Sequence, residues 1–267
     1  MPVDSKRICG PEITKNPYNF LINGNEKGEL IINGKRRDGR KPDQARPLFL
    51  RPGLISQAKG SAYIEQNHTK VICAVYGPRE VIRKEDFSMK GQITCEFKFA
   101  TFSCKKKRGH QQDSEEKDYS VQLLEALEPA VQLDKFPKSQ VNLYLTVLQN
   151  DGSALAASIT CASLALAHAG IEMFDLVVGS SVRIHGNEIL VDPCEEEEFH
   201  SNTNIGVDEG GVVLGLMPSI NQISALTSKG ELNFDTTSQA VKTCIQNCQK
   251  VYPVLQNCLV NSLKEKD

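Results

Sequence analysis

Alternating apolar and polar positions predict β-strands along much of the chain. The alternation is clearest within residues 92–101, where every second residue from Ile93 to Phe99 is apolar. In residues 61–76, two apolar runs flank the turn Gln66-Asn67-His68, which is typical of a β-hairpin. Further strands are predicted at residues 48–56, 141–149, 175–184, 188–191, 211–217 and 222–227.

Three stretches have the apolar spacing that predicts helices: residues 114–133, residues 153–168 and a long C-terminal stretch that begins at Phe234. The second stretch is small and apolar on most of its faces, which indicates a buried helix that its neighbours approach closely. Ser153 is predicted to be its N-cap, and Gly170 is predicted to close it. Pro129 is expected to kink the first helix.

The order of these elements predicts an α+β fold. Strands precede helices, and this order occurs roughly twice along the chain, which favours a mixed sheet with helices packed on one face. Residues 36–267 are long enough to form a single compact domain. Residues 1–35 are polar, with scattered Pro, Asn and Gly, and we expect them to form a flexible N-terminal extension.

Composition narrows the class of protein. The chain has 31 Lys and Arg against 33 Asp and Glu, so it lacks the strong positive charge of a free-standing nucleic-acid-binding module. Its nine cysteines are an odd number and mostly lie in apolar runs, which favours buried thiols in a reducing compartment over a disulfide framework. The sequence shows neither an apolar leader nor a membrane-length apolar run, so we expect a soluble protein that is not exported.

Four groups of residues resemble, in order and spacing, the RNase PH family of phosphorolytic 3′ exoribonucleases. They are Arg37-Asp38-Gly39-Arg40 with Arg46-Pro47, residues 58–65 with 69–80, residues 127–131 with 136–140, and residues 151–157 with 165–177. The resemblance covers residues 36–260. It implies an RNase PH-like fold, with mixed sheets and packed helices in a ribosomal-protein-like, two-layer βαβα arrangement. Residues 58–63, 152–157 and 252–256 most resemble the exosome component six branch of the eukaryotic RNA exosome ring.

The resemblance also identifies a degenerate phosphate site. Active members of the family hold the attacking phosphate at a turn that reads Asp-Gly-Gly-Thr-Arg, where a helix N-terminus and a bidentate Arg favour an anion. Here the turn has Ser153, then Ala154 in place of Thr and Leu155 in place of Arg. Because one lost electrostatic partner commonly costs about 10²–10³ in rate, these changes argue against phosphorolysis.

A second family element, an acidic cluster resembling Asp-x-Asp-x-x-x-Asp, is also degenerate. Asp192 matches its first position, Cys194 stands at the second, and Glu198 is the candidate for the third. The run of four glutamates at residues 195–198 favours a solvated loop. A weak Mg²⁺ contact through Asp192 and Glu198 is the alternative. We therefore predict no catalytic residue, no bound metal and no cofactor.

Two basic groups are candidates for contact with RNA. Family members place basic residues after the Tyr-Gly-Pro turn, where this chain has Arg79, Arg83 and Lys84. The second group is Lys105, Lys106, Lys107 and Arg108, whose charge would attract a phosphate backbone without reading its sequence. A solvated loop and a nuclear localisation patch are the alternatives for this second group.

The resemblance implies a non-catalytic subunit of the RNA exosome, which supports 3′-to-5′ RNA processing and degradation, including rRNA maturation and mRNA decay. Its implied partners are other RNase PH-like subunits in a hetero-hexameric ring, cap subunits with oligonucleotide-binding folds, an associated hydrolytic nuclease and single-stranded RNA. No membrane is implied, and the expected location is the nucleus, nucleolus and cytoplasm. One alternative is an active phosphate-dependent 3′-to-5′ exoribonuclease that recruits Arg40 or Arg79. The other is a free-standing RNA-binding module.

Overall fold

The computed structural model describes residues 31–32, 34–81, 88–105, 107–109, 111–186, 188–198 and 209–264. Most of the predicted N-terminal extension lies outside these ranges, as do Arg83, Lys84 and Lys106. Its last residues form a short antiparallel hairpin of β1 (Ile31–Ile32) and β2 (Lys35–Arg36). The division into an extension and one domain therefore stays a prediction. In the described ranges, the helices are too short or too polar to cross a bilayer.

A five-stranded mixed sheet is built from the first half of the chain. Its strands are β3 (Leu48–Pro52), β4 (Gly60–Gln66), β5 (Thr69–Glu80), β6 (Gln92–Phe99) and β7 (Ser139–Gln149), in the spatial order β3-β4-β5-β7-β6. Neighbours are antiparallel except β6 and β7, which are parallel and are joined through helix α1 (Ser114–Leu127). Helix α1 ends at Leu127, and Pro129 lies in a following 3₁₀ turn, so the proline ends this helix and does not kink it.

A four-stranded antiparallel sheet is built from the second half. Its strands are β8 (Val178–His185), β9 (Glu188–Val191), β10 (Glu209–Met217) and β11 (Gln222–Glu231), in the order β11-β10-β8-β9. A single helical turn, α3 (Glu195–Glu198), follows β9. The long helix α4 (Phe234–Lys264) packs against β8 and β10. Its buried stripe is Ala240, Cys244, Cys248 and Leu255.

Helix α2 (Ala154–His168) lies between the two sheets, where it contacts β4 and β5 on one side and β8 and β10 on the other. This differs from the predicted packing of helices on one face, because a helix that is apolar all round needs cover on both sides. Gly60 and Gly179 stand where these sheets approach the helix. A Cβ added at Gly60 would collide with Ala165 and Ala169, and one at Gly179 would collide with Ala156.

The cysteines are free thiols in the described residues, and they contribute to the core. Cys73, Cys161, Cys244 and Cys248 are buried. Burial raises the pKa of the Cys244 thiol to about 12. These thiols therefore stay protonated and act as small apolar side chains, as their positions in apolar runs predicted.

Candidate functional site

The turn before helix α2 packs directly on the segment that follows β9. Gly152 and Ser153 both have left-handed backbone, with φ of 80° and 56°. A Cβ at Gly152 would lie 2.5 Å from the carbonyl oxygen of Pro193, so only glycine allows this approach. The predicted N-cap bond of Ser153 is absent: its hydroxyl donates to the Pro193 carbonyl (3.0 Å) and accepts from Ser181 (2.7 Å).

A carboxyl group of this chain lies beside the N-terminus of helix α2. The backbone N–H of Ser153 donates to Oε2 of Glu198 over 3.4 Å. Burial raises the pKa of the Glu198 carboxyl, and this effect outweighs the Ser153 bond and the charges of Lys229 and Arg183, which lower it. Glu198 thus engages the N-cap N–H at the end of the helix that would favour an external anion. Ala154 and Leu155, the other residues of the degenerate phosphate site, are buried in the first turn of the helix.

Asp192 forms a buried pair with Arg46. The guanidinium binds both carboxylate oxygens, with Nε–Oδ2 of 2.9 Å and Nη2–Oδ1 of 2.7 Å. Nη1 of Arg46 also donates to the carbonyl of Asp151 (2.7 Å) and to the hydroxyl of Thr69 (3.1 Å). Burial alone would raise the pKa of Asp192, but the hydrogen bonds and charge of Arg46 hold it below its ordinary value. Arg46 therefore joins Asp192 to the turn before helix α2 and to Thr69 at the start of β5.

Two more arginines hold the same segment. Arg36 is buried and makes a two-bond pair with Glu197, and its Nη1 donates to the carbonyl of Val191 over 2.6 Å. Arg40 binds Asp38 (2.5 Å) and donates to Sγ of Cys194 (3.2 Å). We call Arg36, Arg40 and Arg46 the arginine clamp. Arg40 and Arg46 belong to the first motif group, but the sequence gives no local signal of the partners of the clamp, since the pairs are separated by up to 161 residues.

The arginine clamp overturns the interpretation of residues 195–198 as a solvated loop. Glu197 is buried against Arg36, Glu195 and Glu198 are half-buried, and only Glu196 of this run is exposed. The run forms helix α3, whose Glu197 also accepts a bond from the backbone N–H of Cys194 (2.9 Å). Charged side chains can be buried here because each faces a fixed donor.

Each of the three residues of the degenerate acidic site is engaged by another group of the chain. Asp192 binds Arg46, Cys194 accepts from Arg40, and Glu198 accepts from Ser153. In the part of the chain that the structure describes, no group of three or more His, Cys, Asp or Glu side chains is placed to hold a metal ion. Burial raises the pKa of the Cys194 thiol to about 11, so it is a poor ligand and a poor nucleophile.

A cavity of about 220 Å³ opens beside the start of helix α2, between α1, β8, β10 and β11. Leu155 lines it together with the charged side chains of Glu115, Arg183, Glu198 and Lys229. Sequence reasoning missed Arg183 and Lys229, because each is a single basic residue in an otherwise ordinary strand. Their charges face the degenerate phosphate site from the second sheet.

The candidate RNA-contact residues that the structure describes differ in how many contacts they make with other side chains of the chain. The guanidinium of Arg79 is exposed and lies 5.3 Å from the ring centre of Tyr76. Lys105 pairs with Glu195 at 3.0 Å, and Arg108 pairs with Glu115 at 2.8 Å. Lys107 is exposed. The basic run therefore contacts α1 and α3 in part, and its contact with RNA stays a prediction.

Replacing Glu198 by glutamine should change how stability depends on pH. Burial raises the folded-state pKa of Glu198, so ionisation disfavours folding as pH rises through the interval above the ordinary carboxyl value. Glutamine cannot ionise. The stability of Glu198→Gln relative to the unchanged chain should therefore be greater near pH 7 than near pH 4 in urea unfolding. Exposed Glu196→Gln is the control, and an equal difference at both pH values for Glu198→Gln would contradict the argument.

Comparison with known proteins identifies the family. Residues 44–172 match the RNase PH model described as "3′ exoribonuclease family, domain 1". The chain is 38% identical to exosome complex component MTR3 of Mus musculus and 36% identical to that of Homo sapiens, covering 100% of this chain and 98% of each relative. An Archaeoglobus fulgidus exosome structure with RNA bound to the active site superposes with a TM-score of 0.72, at 22% identity, over 82% of this chain and 92% of that chain.

The structural likeness establishes the fold, and the identity over the full length of the relatives establishes the family. Both agree with the resemblance read from the four groups of motif residues. The predicted family and the predicted α+β RNase PH-like fold are thereby confirmed. The chain belongs to the RNase PH family of 3′ exoribonucleases, among relatives named as exosome complex components.

Proposed function

We propose that this chain is a non-catalytic subunit of an RNA exosome ring, in which it supports 3′-to-5′ RNA processing and degradation. Its relatives over the full length are named exosome complex components. The proposal places other RNase PH-like subunits on either side of it in a hetero-hexameric ring, since a closed ring needs two different contact surfaces on each chain. Cap subunits, an associated hydrolytic nuclease and single-stranded RNA complete the assembly.

One observation carries the non-catalytic part of the proposal: a carboxyl group of this chain lies at the start of helix α2, where the arginine of active relatives is missing. The N–H of Ser153 is bonded to Glu198, and Leu155 offers no donor where active relatives have an arginine. Two arginines that the fold places near this turn are engaged by protein groups, since Arg46 binds Asp192 and Arg40 binds Asp38. A phosphate beside this turn would meet the carboxyl group of Glu198 and would lack the fork of donors that an arginine supplies.

A second candidate function, phosphate-dependent exoribonuclease activity, rests on Arg183 and Lys229. These side chains line the cavity beside Leu155 and could supply positive charge that the turn itself lacks. Arg40 and Arg79, which sequence reasoning considered for this role, instead contact Asp38 and Tyr76. The activity would also require Glu198 to leave the N–H of Ser153.

The two candidates give opposite results in one assay. The full chain, alone and in the assembly purified from its own cells, is incubated with a 3′-tailed RNA and inorganic phosphate. We expect no phosphate-dependent release of nucleoside diphosphates that depends on this chain. Release that is lost in Lys229→Met, but kept in the control Lys242→Met at an exposed position of helix α4, would establish the enzyme and overturn the non-catalytic proposal.

Native mass spectrometry of the gently purified chain tests the assembly. A complex that contains several different RNase PH-like chains, each present once, supports the ring. A chain that runs alone, or as a homohexamer, contradicts it. We propose the nucleus, nucleolus and cytoplasm as its locations, which fluorescence microscopy of the tagged chain would test.

A further inference from the structure

A groove of about 540 Å³ lies at the edge of the five-stranded sheet, between β6 and helix α1. Lys117, Ser120 and Val121 of α1 form one wall, and side chains of β6 and β7 form the other. The groove shares no lining residue with the cavity beside Leu155. Its volume is within the range of about 300–1,000 Å³ that is usual for sites that bind small organic groups.

The strand register places its polar wall on one face of the sheet. Asn142 is the Cα partner of both Thr94 on β6 and Tyr76 on β5. In the next row, Tyr144 is the partner of Glu96 and of Ala74. Paired residues point to the same side of a sheet, so these side chains share the face opposite to buried Leu143 and Leu145, which belong to the core.

Tyr144 is an exposed aromatic side chain on this face. It is 43% exposed, and its ring packs edge-on against Tyr76, with centroids 5.8 Å apart and an interplanar angle of 71°. Arg79 lies over the other tyrosine, 5.3 Å from the centroid. The arrangement provides a supported ring for stacking and a cation next to it.

Two amides stand beside the ring. Nε2 of Gln140 donates to the hydroxyl of Thr94 (3.0 Å), and this hydroxyl donates to Oδ1 of Asn142 (2.7 Å). These two hydrogen bonds use one N–H of the Gln140 amide and the carbonyl oxygen of the Asn142 amide. Gln140 can therefore offer an acceptor and Asn142 a donor to a bound group, which is the pairing that the edge of a nucleobase requires.

We propose that this groove binds a nucleotide of single-stranded RNA, with its base stacked on Tyr144. The base edge meets Gln140 and Asn142, while exposed Lys117 and Arg79 on either side attract the adjoining phosphates. Aromatic stacking, amide donors and acceptors, and flanking cations together are the chemistry of single-strand recognition. The inference rests on the proposed function, which brings RNA to the chain, and it adds a contact site outside the degenerate phosphate site.

Fluorescence anisotropy of a labelled oligoadenylate of about 12 nucleotides tests this site, with the full chain at about 0.1 M salt. Tyr144→Ala should weaken binding by about 5-fold to 100-fold, because one stacked base is lost. Tyr144→Phe keeps the ring and should bind within about 2-fold of the unchanged chain. Phe49→Ala is the matched control, since Phe49 is an exposed aromatic residue on edge strand β3 of the same sheet.

Ultraviolet crosslinking gives a second readout that does not depend on a variant. Crosslinks from the RNA to the peptide that contains Tyr144 support the site. Equal RNA affinity of Tyr144→Ala and the unchanged chain overturns the proposal. A Tyr144→Ala variant that binds RNA normally but fails to join the ring also overturns it, because this face would then contact another protein. If the chain joins the ring and shows no turnover, but Tyr144→Ala binds RNA as well as the unchanged chain, this site is refuted. The proposed function is then unaffected.

Discussion

Replacing Arg46 with alanine should lower the free energy of unfolding by about 3–5 kcal/mol. The substitution leaves the buried Asp192 carboxylate without the guanidinium that binds both its oxygens. It also removes the donors to the carbonyls of Asp151 and Gly152. Because breaking a buried pair strands the remaining charge, the loss greatly exceeds that of a surface pair.

Urea unfolding followed by circular dichroism would measure this loss, with Arg37→Ala as the control. Arg37 pairs with Glu196 over 3.6 Å, and both side chains are well exposed. We expect that control to change stability by no more than about 1 kcal/mol. Similar losses for Arg46→Ala and Arg37→Ala would contradict the assignment of Arg46 as the central member of the arginine clamp.

Replacing Gly179 with alanine should lower the free energy of unfolding by about 3 kcal/mol. The new Cβ would collide with the backbone of Ala156 in helix α2, and backbone cannot turn aside as a flexible side chain can. Helix α2 cannot simply move away from β8, because β4 and β5 contact it from the other sheet. The strain would therefore stay at the contact and appear as lost stability.

Gly211→Ala on the neighbouring strand β10 is the matched control for this prediction. A Cβ at Gly211 would meet only the carbonyl oxygen of Val182, at 3.8 Å, which is an ordinary contact. We expect this control to change the melting temperature little, since alanine costs less conformational entropy than glycine. If Gly179→Ala had the same melting temperature as Gly211→Ala, helix α2 would have more freedom to move than the structure indicates.

Much of the fold could be predicted from the sequence, because strands and helices follow from local periodicity. The hairpin of β4 and β5 and the helix that ends at His168 lie close to where the pattern put them. The separation of the strands into two sheets could not be predicted, since pairing across the chain leaves no period in the sequence. The apolar surface around helix α2 was the available signal that both of its sides are covered.

The candidate site was predicted less completely than the fold. Motif positions identified Ser153, Leu155 and Asp192. The types of Ser153 and Leu155 depart from the family pattern, whereas Asp192 keeps it. Composition misled at residues 195–198, where Glu196 is exposed and Glu197 is buried although the letters are identical. The two glutamates differ in burial because Glu197 pairs with Arg36, which is distant in sequence and comes near only in the folded chain. Side-chain pairs between residues that are far apart in the sequence cannot be predicted from local sequence patterns.

The arginine clamp has a consequence for how this chain matures during synthesis. Arg46 is made 146 residues before Asp192, its partner in the buried pair. At the usual elongation rates of about 5–20 residues per second, roughly 7–30 s pass before that carboxylate has been added. Until then, the guanidinium at the turn of helix α2 lacks the carboxylate that binds it through two bonds. We therefore expect the N-terminal half of the chain to complete its fold only after the segment that follows β9 has emerged from the ribosome.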